Sequence, residues 1–121
     1  MAGGPGELID LPARAIVERW AGHLLHDRRR SAHTLRAYVA TAHRLIEFLG
    51  KYRGEAVGDG LLLTLNAQDL RAFLAERRRE GLGPASAARE LSAVRNFLAF
   101  AAEQQGQIPQ LPRTRAPRRP R

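Results

Sequence analysis

Cysteine is absent from the sequence, lysine occurs only at Lys51, tryptophan only at Trp20, and tyrosine only at Tyr38 and Tyr52. The lack of cysteine excludes disulfides and thiolate-bound metals, and it makes a reducing cytoplasm the expected compartment. No apolar run approaches the roughly 20 residues that span a bilayer. Met1 to Leu11 carries Glu7 and Asp10 and lacks the apolar core of a signal peptide, so neither export nor a membrane partner is expected. Stretches that alternate with period two are also missing, which argues against a sheet.

What is present fits one domain with its own core: 121 residues, 44% hydrophobic and 26% charged. The formal charge of +8 is unevenly spread. Residues 107–121 hold Arg113, Arg115, Arg118, Arg119 and Arg121 with no acid, or +5, which leaves +3 on residues 1–106. The affinity of the folded part for a polyanion must then come from the placement of charge. All basic residues except Lys51 are arginine, a bias that a GC-rich genome or phosphate recognition would equally produce.

Apolar residues recur with a helical period in four places, so the fold class is expected to be all-α. A first helix is expected from near Pro12, repeating Ile16, Trp20 and Leu24 and ending between Asp27 and Arg30. Ser31 is a good N-cap for a second, with the stripe Leu35, Tyr38, Val39, Ala42, Leu45, Ile46, Leu49. Three glycines between Gly54 and Gly60 break the pattern, and Leu61 to Leu65 reads as a strand or, preferably, a loop anchored by leucines. Asn66 and Asp69 form a capping-box variant for a third helix, with Leu65 and Leu70 as its staple and Leu70, Phe73 and Leu74 as its buried stripe. Arg77, Arg78 and Arg79 complement its dipole before the stop at Gly81. Pro84 opens a fourth helix that runs to about Gln105 and stops at Gly106. Its buried side is Ala87, Leu91, Val94, Leu98 and Ala101, with Ser86, Arg89, Ser92, Ala93 and Asn96 opposite and Arg95 at the border. Residues 1–11 read as an N-terminal extension, 12–106 as the helical domain, and 107–121 as a flexible basic tail rich in proline and arginine.

Catalytic chemistry finds little support. His33 and Arg36 spell His-x-x-Arg without an acid, a nucleophile or a pocket beside them. His23 and His26 lack a third metal ligand in register and read as a solvated pair. No cofactor is implied. The turn Gly81-Leu82-Gly83-Pro84 precedes a helix and could meet a backbone phosphate, but no strand leads into it as in a nucleotide-binding loop.

Two segments carry a family resemblance. Ser31-Ala32-His33-Thr34-Leu35-Arg36-Ala37-Tyr38, followed by Leu45 and Phe48, resembles the S-x-x-T-L-x-x-Y signature of the N-terminal domain of tyrosine recombinases, the phage-integrase and Xer group. Asp69 to Leu74, Gly81 to Ser86 and Arg89 to Phe97 resemble the D-L-R-x-F and G-L-S-x-x-S-x-x-R-x-L-S-A-L-R-x-F pattern of the same domain, with Gly83 in place of serine and Val94 in place of leucine. The resemblance implies a four-to-five-helix SAM-like, core-binding bundle that grips one face of a DNA half-site. A separate C-terminal domain would supply the tyrosine nucleophile and all catalytic groups, and Leu111 to Arg121 is similar to the linker leading to it. The expected function is the DNA-binding domain of a recombinase, catalytically silent by itself. Its expected partners are double-stranded DNA, the C-terminal catalytic domain of the parent and other protomers on the DNA.

The residues expected to bind DNA are His33, Thr34, Arg36, Ala37 and Arg44 on the second helix, with Lys51 beyond them, and Ser86, Arg89, Ser92 and Arg95 on the fourth. A helix face that mixes small and basic residues can approach a groove closely while arginines reach phosphates or guanine edges. Arg89 is the leading candidate for base contact, and an ordinary solvated face is the plain alternative for each position. Tyr38 is expected to pack in the core with its hydroxyl at the rim, and Tyr52 to stand near a helix end with no basic cluster around it. A helical protein-interaction module is the competing reading, and salt-sensitive duplex binding separates the two.

Overall fold

The computed structural model describes residues 5–27 and 29–108. Residues 1–4, Arg28 and the expected tail from residue 109 onward lie outside the described residues. Five helices follow in order: α1 (Pro5–Leu25), α2 (Ala32–Arg53), α3 (Asp59–Leu63), α4 (Ala67–Arg79) and α5 (Pro84–Gln104). There is no strand among the described residues, so the all-α SAM-like bundle expected from periodicity and resemblance is what the chain forms.

α5 packs against each of the other four helices and forms the axis of the core. Trp20, Phe73 and Phe97 are the largest fully buried side chains, joined by Ile16, Leu45, Ile46, Leu49, Leu70 and Val94. Ring contacts and hydrogen bonds fix the directions. Trp20 stacks on Tyr38 and Arg14 meets His43, so α1 and α2 run antiparallel. Trp20 meets Phe97 and His23 meets Phe100, so α1 and α5 run the same way.

Local signals in the sequence account for most helix ends. Ser31 caps α2, its Oγ accepting from Thr34 N at 3.0 Å. Gly54 ends α2 in the left-handed region at φ 65°, a conformation that costs a residue with a Cβ roughly 1–2 kcal/mol. At the start of α4 the expected capping box is complete, with Asn66 Oδ1 accepting from Asp69 N and Asp69 Oδ2 accepting from Asn66 N. Gly81, at φ 100°, closes α4 in a Schellman turn whose two bonds run from Gly81 N to Arg78 O and from Leu82 N to Arg77 O. α5 opens on Pro84 and ends at Gln104, where Gln107 N still bonds Ala102 O at 2.9 Å.

Three expectations are corrected. The first helix begins at Pro5 rather than near Pro12, which lies inside it. Pro5 meets the same first-turn preference, and Pro12 is exposed. The segment after Gly58 is a single helical turn rather than a loop or strand: Leu61, Leu62 and Leu65 are buried and Leu63 is 40% exposed, the burial pattern of a helix rather than of a strand. Ala93, placed on the solvent side of α5, is buried, and Asn96 is half-buried. Both follow from the central position of α5, which is covered over more of its circumference than one stripe implies.

Candidate nucleic-acid interface

The N-terminal halves of α2 and α5 lie side by side and enclose a groove of about 460 Å³. Its lining includes His33, Thr34, Ala37 and Arg44 from α2, with Ser86 and Arg89 from α5. Six of the nine expected DNA-binding residues therefore meet on one surface, although more than 40 positions separate the two groups in sequence. Leu82 from the Schellman turn, together with Tyr38, Thr41, Arg77 and Glu90, completes the wall.

The side chains are held by local bonds. Arg89 is exposed and its Nη2 donates to Ser86 Oγ at 3.0 Å, so the guanidinium lies along the first turns of α5. Thr34 is partly occupied with capping, its Oγ1 accepting from Ser31 Oγ at 3.0 Å. Tyr38 is packed as expected: it stacks on Trp20, the Arg30 guanidinium lies 4.9 Å from its ring centroid, and its hydroxyl accepts from Arg30 Nη1 at 3.4 Å. Three arginines stand against one carboxylate in this lining, an excess of positive charge in a partly enclosed surface.

The remaining expected residues lie elsewhere. Arg36 is exposed outside this lining and makes no ion pair among the described residues. Ser92 is exposed and returns its hydroxyl to Ala88 O at 3.2 Å. Arg95 is half-buried and lies half a turn around α5 from Ser86. Lys51 pairs with Glu47 at 3.5 Å.

Glu90 was not among the expected site residues. It is buried and takes three hydrogen bonds from two arginines, Arg77 through Nε and Nη2 and Arg44 through Nη2. The bond to Glu90, foremost, raises the Arg77 pKa against the opposing effect of burial. A signal for this residue exists in the sequence, because 100° spacing places Glu90 at the edge of the apolar stripe of α5 rather than opposite it. An acid there needs a cation from a neighbouring helix.

A second cleft, of about 560 Å³, lies between α2 and α4. Tyr52 borders it, and so do Arg44, Lys51, Arg77 and Arg79, which corrects the expectation of no basic cluster around this tyrosine. Tertiary packing brings the arginines of α4 there. Each cation is paired: Lys51 with Glu47, Arg79 with Glu76, Arg77 with Glu80 and Glu90, and Arg44 with Glu90. His23 packs on Phe100, and His26 Nδ1 lies 2.9 Å from Gly22 O. No group of three or more possible metal ligands is gathered among the described residues.

Residues 17–105 match the family profile described as phage integrase, N-terminal SAM-like domain. The chain is 38% identical over 89 residues to a tyrosine recombinase XerC of Rhodospirillum centenum, covering 74% of this chain and 26% of the relative. It is 35% identical to that of Nitrobacter winogradskyi and 37% identical to that of Bradyrhizobium diazoefficiens, in both cases over 103 residues, 84% of this chain and 32% of the relative. The chain thus spans about a quarter to a third of the length of these curated relatives. No solved structure matches it significantly.

Proposed function

The chain belongs to the phage-integrase N-terminal SAM-like family of tyrosine recombinases, and on that premise we propose that it is the core-binding domain, holding duplex DNA in the groove between α2 and α5. The observation that carries this reading is the convergence in one groove of Arg44 and Arg89, the small residues Ala37 and Ser86, and, among the described residues, a single acid. Arg89 is the proposed base-reading residue, because it projects from the first turns of a helix end that a major groove can admit. Exposed Arg36, on the flank of α2, supplies a phosphate contact. Residues 107–121 add five arginines and no acid, and the likeness of Leu111 to Arg121 to an interdomain linker would connect this domain to the catalytic domain of a parent recombinase, which would act with further protomers on DNA in the cytoplasm. No helix among the described residues is long and apolar enough to cross a membrane. This domain's role is to bind, and strand cleavage belongs to the catalytic domain.

Fluorescence anisotropy of a labelled duplex titrated at several salt concentrations tests the proposal. Binding is expected to weaken log-linearly with salt, by about 0.9 in slope per phosphate neutralised, and deletion of residues 107–121 is expected to flatten the slope while helicity persists. Duplex binding that is absent, or indifferent to salt, would overturn the proposal.

A further inference from the structure

Glu90 is the only acid among the described residues that line the groove, and its two arginines are held in different ways. Arg77 is committed throughout. Its Nε lies 2.9 Å from Glu90 Oε1 and its Nη2 3.0 Å from Oε2, while Nη1 bonds Glu80 Oε2 at 3.1 Å, and its side chain is 13% exposed. Arg44 is committed on one edge. Its Nη2 reaches Glu90 Oε2 at 3.1 Å and Thr41 Oγ1 at 3.5 Å, Nε has no hydrogen-bond partner among the described residues, and the side chain is 40% exposed. Arg44 and Arg77 both line the two clefts, so the difference between them is in how much of each guanidinium is already bonded and how exposed it is. Glu90 thus joins α2, α4 and α5 at one point, with two cations on one buried carboxylate.

Resting on the reading that this groove receives DNA, we infer that Glu90 sets how strongly the groove holds a phosphate backbone. It fixes Arg77 for the fold and keeps Arg44 half-held, so a phosphate must draw Arg44 from a carboxylate that itself repels the phosphate. Attraction to the backbone is independent of sequence, and a site-specific binder discriminates only by the margin between specific and non-specific binding. Glu90 therefore favours selectivity at the expense of affinity. A carboxylate serving rigidity alone would alter stability without altering the number of phosphates neutralised.

Glu90→Gln keeps the size and one acceptor oxygen while removing the charge. Its binding to a random duplex is expected to be roughly three- to tenfold tighter at about 0.1 M salt, with a salt slope steeper by up to about 0.9, the increment of one full phosphate contact, since Arg44 shared with Glu90 makes only part of one. The gain is expected to vanish in the double variant Glu90→Gln/Arg44→Gln. In the unsubstituted protein, ¹⁵N spectra are expected to show the Arg44 Nε–H signal shifting on addition of duplex while that of Arg77 stays in place. A Glu90→Gln protein of unchanged helicity and unchanged salt slope, or a gain that survives Arg44→Gln, would refute the inference. Should Glu90→Gln not fold, the arginine signals decide alone, and movement of Arg77 with Arg44 still would equally refute it. Absence of duplex binding by the unsubstituted protein would instead remove the groove reading on which the inference stands.

Discussion

The indole of Trp20 donates from Nε1 to Oδ1 of Asn96 at 2.9 Å, tying α1 to α5 inside the core. Trp20 is fully buried, so its N–H loses its acceptor when the Asn96 amide is removed. Asn96→Ala is expected to cost about 1–3 kcal/mol, and at this chain length a thermal melt should fall by roughly 4–8 °C per kcal/mol. An unchanged melting temperature would show that the bond contributes little.

Asn66 begins α4 with both bonds of a capping box. Asn66→Ala is expected to destabilise the domain by about 1 kcal/mol, while Asn66→Ser, which keeps an acceptor oxygen, should lose much less. Urea unfolding followed by far-ultraviolet circular dichroism separates the two variants.

His43 Nδ1 lies 2.7 Å from Arg14 Nη1, and because a guanidinium can only donate, the imidazole accepts and carries its own proton on Nε2. Its pKa is lowered from 6.5, first by burial and then by the charge of Arg14, against the opposing influence of Glu18. The unfolded chain therefore takes up this proton at higher pH than the folded one. The contribution to stability is complete above the unfolded value of about 6.5 and is lost as the pH falls through the lower folded value. Urea midpoints measured from pH 7.5 to 5 should decline more in the parent protein than in His43→Asn. Parallel declines would place the pH dependence on other groups.

Arg89→Ala is expected to weaken binding to a duplex selected from a random library more than binding to a random duplex, by about 1–3 kcal/mol of discrimination. Arg115→Ala, in the segment rich in arginine and proline, should weaken both alike. If Arg89→Ala lowered both equally, Arg89 would be a phosphate contact, and base reading would fall to the face of His33 and Ala37.

The helices were legible wherever a local signal acts on a local backbone: Ser31 at one end of α2, the Asn66 and Asp69 pair, Pro84 before α5. The turn of α3 was not, because three glycines mask a segment whose helical burial is imposed by its neighbours. Half of the interface was legible for a similar reason. Arg89 and Ser86 stand opposite an apolar stripe and so could be assigned to a surface, whereas Glu90 and Arg77 owe their importance to each other across two helices. A single stripe also misplaced Ala93, since one face of α5 serves several partners and solvent is left only a narrow sector. Arg53 adds a case that no periodicity reveals: it reaches from the end of α2 to the capping carboxylate of Asp69 at 2.7 Å.

The helix on which the other four pack is also the last of the five among the described residues. Trp20, Leu45 and Phe73 belong to three separate helices, and each lies in the core that α5 completes. The nascent polypeptide can pair α1 with α2 once both are made, but the core cannot close until Pro84 to Gln104 has been made, and until then the sides of the earlier helices that face α5 stay uncovered. Closure of this core is thus a late event in the synthesis of the domain, and it depends on contacts of long sequence separation.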